Sequence, residues 1–194
     1  MSRFELGAAL ACGLLLMGCT TPAPRADATP VGHYGLGRVA SATEIRGWDI
    51  DVRPDGAGLP AGSGTAVEGR RLYEAQCASC HGAQGAGGPA PRLVGGVGTL
   101  TAKAPVRTVG SFWPYAPTVY DYIYRAMPWD KPMSMRASEV YAVTAYLLHA
   151  NKIIGETEVM DARTLPAVRM PNRDGFFTPA QDPAVNGVRC MQGC

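Results

Sequence analysis

Apolar residues recur at helical spacing in three stretches of the chain. In Ala66–Cys77, AVEGRRLYEAQC, the residues Val67, Gly69, Leu72 and Tyr73 put apolar or small groups on adjoining parts of one surface, which predicts a helix. Gly69 inside it costs about 1 kcal/mol against alanine, so its presence points to close packing by another element. In SEVYAVTAYLLHAN, Val140, Val143 and Leu147 follow the i, i+3, i+7 pattern with Tyr146 beside them. Ser138 is the expected N-cap, and Glu139 suits the first turn. A shorter helix is predicted over Thr118–Ala126, TVYDYIYRA, with Pro117 at its first turn.

The N-terminus shows a different pattern. Arg3 precedes the unbroken apolar run Gly7–Met17, which has the length of a signal h-region and is short for a bilayer span. The run ends in Leu16-Met17-Gly18-Cys19, which resembles a bacterial lipobox and makes Cys19 a lipidation candidate; ordinary signal cleavage nearby is the alternative. Several acyl chains on one cysteine anchor firmly, whereas one alone is marginal. Thr20–Gly32 then has no periodicity and few large apolar residues, as in a tether. Thirteen such residues reach on the order of 20 Å. The expected organisation is a signal peptide at 1–18, a lipid-anchored tether at 19–32 and an extended segment at 33–63. A helical domain at 64–153 and an extended C-terminal tail at 154–194 follow.

Composition narrows the function. The 194 residues carry a net charge of +2, with no basic run and no aromatic-basic interleaving, so nothing favours nucleic acid. The 24 glycines and 16 prolines imply much loop and extended chain around a small core.

The six cysteines divide by context. Cys12 lies in the signal and Cys19 at its end. Cys77-Ala78-Ser79-Cys80-His81 is the pattern of covalent haem c attachment: two thiols for the two vinyl groups and an adjacent imidazole for the iron. A redox pair or half of a zinc site is the alternative, but no second CxxC exists, and His33 and His149 are distant in sequence. One CxxCH implies one haem. Cys190 and Cys194 are expected to pair as a disulfide in an oxidising compartment, with a metal or redox-active pair as the alternative.

These residues resemble a class I cytochrome c over residues 64–153. Gly69 and Tyr73 stand where the family has the glycine and aromatic of its N-terminal helix, and Tyr146 matches the aromatic of the C-terminal helix that crosses there. The resemblance implies an all-α fold of three to five short helices around one covalent haem, with extended N- and C-terminal wrapping segments. Pro91-Arg92-Leu93-Val94-Gly95 matches the family's P-x-L-x-G loop, which implies that the Pro91 carbonyl accepts a hydrogen bond from His81. The family also takes a sixth iron ligand from a loop before its last helix, and a neutral thioether there raises the potential. AMPWDKPMSM offers Met127, Met133 and Met135. Met127, followed by Pro128, matches the ligand site, and the other two are alternatives nearer the helix. Trp113, Arg107 and Arg125 are candidates for haem propionates, with packing or solvated roles as alternatives. His149 is expected to be a surface or packed residue.

Segments outside the haem domain resemble more narrowly the cytochrome c subunits of bacterial molybdenum-cofactor sulfite or sulfane dehydrogenases. These are Tyr34–Gly64, Leu93–Asp130 and Thr164–Phe177. The resemblance implies a periplasm-facing monohaem electron-transfer protein, not itself an enzyme. The dehydrogenase subunit would be the donor, a downstream cytochrome or oxidase the acceptor, and the lipid anchor the membrane contact. A tethered shuttle for another dehydrogenase, a haem enzyme with a labile sixth ligand, and an assembly lipoprotein are the competing readings.

Overall fold

Residues 36–177 are described by the computed structural model. The expected signal peptide, Cys19, the tether and the Cys190–Cys194 pair lie outside the described residues. The chain divides into two compact units, Met1–Ala42 and Thr43–Cys194. Residues 36–41 of the first have no regular structure, and all the packing described below belongs to the second.

Five α-helices occur among the described residues: α1 (Ala42–Trp48), α2 (Ala66–Gln76), α3 (Ala78–His81), α4 (Ala116–Ala126) and α5 (Ala137–Ala150). Two two-residue strands, β1 (Ser63–Gly64) and β2 (Met160–Asp161), pair antiparallel with Ser63 opposite Asp161 and Gly64 opposite Met160. No described helix is long and apolar enough to cross a membrane.

Helix α5 is the centre. All nine residues from Val140 to Leu148 are buried, so it is covered on every side rather than along one stripe. Helix α2 crosses it at Gly69. A Cβ there would lie 2.8 Å from Tyr146 Cβ and closer still to the Ala142 carbonyl oxygen. The two helices therefore meet backbone to backbone, at a distance that no side chain at position 69 permits. Beside the crossing, the rings of Tyr73 and Tyr146 stand 4.9 Å apart. On the other flank of α5, Tyr120 of α4 meets Tyr141 at 4.5 Å. Such aromatic pairs add about 0.5–1.5 kcal/mol each beyond the area they bury.

The boundaries differ from expectation where side chains reach back along the chain. Helix α2 opens on a capping box: Thr65 Oγ1 accepts from the Glu68 N–H, and the Glu68 carboxylate accepts from the Thr65 N–H at 2.8 Å. Helix α5 is not capped by Ser138. Glu139 accepts from the Arg136 N–H at 2.8 Å and from the Arg136 guanidinium at 2.9 Å, which starts the helix at Ala137. Helix α4 begins at Ala116 rather than Thr118, because Pro117 fits the first turn and Thr118 Oγ1 donates back to Tyr115 O at 2.8 Å.

The Gly- and Pro-rich flanks wrap this core. Val52 is buried, and its N–H donates to Asp121 Oδ1 on α4 at 2.8 Å. Tyr141 Oη donates to Pro60 O at 3.0 Å. On the C-terminal side Met160, Leu165 and Met170 are buried, and Asn172 Nδ2 donates to Phe112 O at 2.8 Å.

Two substitutions test this packing. Gly69→Ala improves helix propensity by about 1 kcal/mol but drives a methyl into the α5 backbone, so it should destabilise the fold by about 3 kcal/mol or more in urea unfolding. Thr144 Oγ1 in α5 is buried without a hydrogen-bond partner. Thr144→Val keeps the shape and removes the unpaired hydroxyl, so it should raise stability by about 1 kcal/mol.

Candidate functional site

Helix α2 ends where the chemistry begins. Cys77 caps it with φ −119° and ψ −33°, and the chain then enters the single turn of α3. The Cys80 and His81 N–H groups both donate to Cys77 O, at 3.2 and 2.9 Å. Two thiols three residues apart and an imidazole next to the second thus share one helical turn. Gly82 breaks the helix with φ +76°, a conformation that side-chain-bearing residues avoid. The loop that follows folds back over the turn. Gly87 N–H donates to His81 O at 2.8 Å and Ala90 N–H to Cys80 O at 2.9 Å. Tyr73 Oη donates to Gly82 O at 2.9 Å, which ties α2 to the end of the motif.

His81 Nδ1 lies 2.7 Å from Pro91 O. A carbonyl oxygen only accepts, so Nδ1 carries the proton and Nε2 keeps a free lone pair. The bond fixes the ring orientation and makes Nε2 a better donor to a metal. Cys77 is half-buried and Cys80 exposed. Burial, with Cys80 nearby, pushes the Cys77 thiol up to about 11. No group of three or more His, Cys, Asp or Glu among the described residues is arranged to hold a metal ion alone. Two thiols and an oriented imidazole on one turn fit a covalently attached haem.

The three methionines of the loop between α4 and α5 have different surroundings. Met135 is buried in the core at 5% exposure. Met133 is 52% exposed, on a backbone with φ +61°. Met127 is intermediate: it caps α4 in an extended conformation, precedes a cis peptide to Pro128, and packs half-buried against the core. Cys77, Leu93 and Trp113 are half-buried against that same core.

Other sequence candidates have partners of their own. The Arg125 guanidinium forms an ion pair with Asp121. Arg107 stacks over Phe112 with its guanidinium carbon 5.5 Å from the ring centre. Trp113 packs edge-on to Tyr122 at 5.7 Å. His149 Nδ1 lies 3.2 Å from Ile154 O at the end of α5.

Two sets of positioning residues carry no motif. Asn151 at the C-cap of α5 accepts from Gly95 N–H at 2.9 Å and donates to Leu93 O at 3.1 Å and Leu147 O at 2.8 Å. It fastens the loop that contains Pro91 to the central helix. Thr108 Oγ1 donates to Gly95 O at 2.5 Å, and Ser111 Oγ donates to Val106 O at 2.6 Å. An asparagine just after a helix is a weak cap signal, and a lone Thr or Ser in a loop is none.

The comparisons with known proteins agree with this geometry. The Cytochrome c family model matches residues 66–151. No curated protein sequence matches the chain. A chain of the sulfane dehydrogenase SoxCD from Paracoccus pantotrophus, solved by crystallography, is 40% identical with a TM-score of 0.71. That match covers 84% of this chain and 82% of the other. With its oriented imidazole, paired thiols and helix crossing, the chain belongs to the class I cytochrome c family and resembles a chain of the sulfane dehydrogenase SoxCD.

Proposed function

We propose that the chain is a monohaem electron-transfer subunit that accepts single electrons from a molybdenum-cofactor sulfite or sulfane dehydrogenase and passes them toward the respiratory chain. A downstream cytochrome or oxidase is the acceptor. The observation that carries this reading is the 40% identity to a sulfane dehydrogenase chain across 84% of this one. That share is much larger than the 66–151 stretch matched by the Cytochrome c family model, so it takes in much of the flanking chain. The apolar run before Cys19 supports a periplasmic location with that cysteine lipidated.

In this reading Cys77 and Cys80 would hold the haem through thioether bonds, and His81 Nε2 would ligate its iron. The Pro91 carbonyl holds His81 in the required tautomer. Met127 would be the second ligand; its half-buried place at the end of α4 leaves the thioether neither spent in the core, like Met135, nor in water, like Met133. When bound, the haem supplies a one-electron ferric/ferrous couple. Held by His81 and Met127, the haem would offer no open position to a substrate. The chain carries electrons and is not an enzyme in its own right.

The complex isolated from native membranes tests this. Sulfite or a sulfane compound added anaerobically should reduce the haem rapidly, and removing the dehydrogenase subunit should abolish the reduction. A haem that stays oxidised with that subunit present, while dithionite still reduces it, contradicts the proposal. Met127→Ala should lower the midpoint potential in a spectroelectrochemical titration and admit imidazole to the iron. Met133→Ala should change neither. Met135→Ala should instead cost about 2–5 kcal/mol of stability.

A further inference from the structure

Helix α1 does not bury any of its seven residues. Trp48 is 87% exposed and Ile45 53%. A helix shorter than about 12–15 residues is marginal in water without packing, and this one buries none of its residues. Its two sides are nevertheless distinct. Ile45 and Trp48, three residues apart, lie on one face. On another, Arg46 Nη2 donates to Thr43 Oγ1 at 3.0 Å. The helix also has a firm root. Asp49 N–H donates to Ile45 O at 2.8 Å, and four residues beyond Trp48 the chain is pinned where Val52 is buried and bonded to Asp121.

We propose that the Ile45–Trp48 face of α1 is a docking surface for the dehydrogenase subunit, with Trp48 as its central anchor. The inference rests on the reading that such a subunit is the electron donor. Two observations favour this occupant. The likeness to the sulfane dehydrogenase chain spans 84% of this chain, whereas the cytochrome match stops at residues 66–151, so most of the flanking chain is shared with a dehydrogenase system. The charges argue against a lipid surface. Glu44 and Arg46 offset one another on the helix, and Asp49 and Asp51 follow, so the segment lacks the basic face that binds anionic membranes. A tryptophan exposed at the root of a helix with no buried residue suits an interface anchor, a residue type enriched among those that dominate binding.

The test uses the full-length holoprotein and the dehydrogenase subunit from the same organism, titrated by calorimetry. Trp48→Ala and Ile45→Glu should each raise Kd about 30-fold or more. The haem spectrum and thermal midpoint should stay unchanged, because neither side chain is buried. The rate of haem reduction should recover at saturating dehydrogenase. Amides of residues 43–48 should exchange rapidly in the free protein and become protected in the complex. Unchanged affinity in both variants overturns the proposal. So does a loss seen instead in self-association or in binding to phosphatidylglycerol vesicles. If the wild-type protein neither binds the dehydrogenase nor receives its electrons, the donor reading fails first, and the docking surface with it.

Discussion

The contact between Gly69 of α2 and Ala142 of α5 is the constraint on which the rest depends. Because position 69 has no side chain, the two helix backbones meet directly, and the aromatic rings of Tyr73 and Tyr146 close over the junction. Helix α2 runs from this crossing straight to Cys77, so the crossing angle and height set where the thiols and imidazole stand. Tyr73 links the two levels: its ring packs at the crossing, and its hydroxyl holds Gly82 just past His81. Burial raises this phenol to about 12, so it remains a neutral donor at any physiological pH.

The second constraint is the anchoring of chain that has little helical character. The buried Asp121 carboxylate accepts from the Val52 backbone on one side and Arg125 on the other. A buried charge is tolerated when it is paired and hydrogen-bonded, and here it fixes the entering segment to α4. The β1–β2 ladder and Asn172 fix the leaving segment. Asn151 does the same for the Pro91 loop, and through it for His81. The haem-binding turn is thus held by a network spread over residues 52–172, which explains why so small a helical core carries so much additional chain.

Much of this was legible in the sequence, for identifiable reasons. The helix around Gly69 shows because burial of one face imposes a 3.6-residue period, and the helix around Tyr146 because all-round burial makes it a long, nearly unbroken apolar run. CASCH shows because covalent attachment fixes thiol spacing. The unexpected glycine at 69 signalled the crossing itself. The helix starts were less legible. Glu139 reaching back to Arg136 outweighs Ser138, a better cap by residue type, because a charged acceptor at the third position satisfies two donors at once. Asn151, Asp121 and the Thr108–Ser111 pair stayed hidden because their roles lie in contacts across tens of residues, which no local pattern records. The exposed face of α1 was hidden too: a seven-residue stretch is too short to show a period.

If His81 and Met127 both ligate the iron, as proposed, the haem is restricted to outer-sphere electron transfer. Exposure of the native ferrous holoprotein to carbon monoxide tests this most directly. With His81 and Met127 in place, the spectrum should stay unchanged. Ready binding at neutral pH would mean an open or labile sixth position, and would contradict the reading of the chain as an electron carrier.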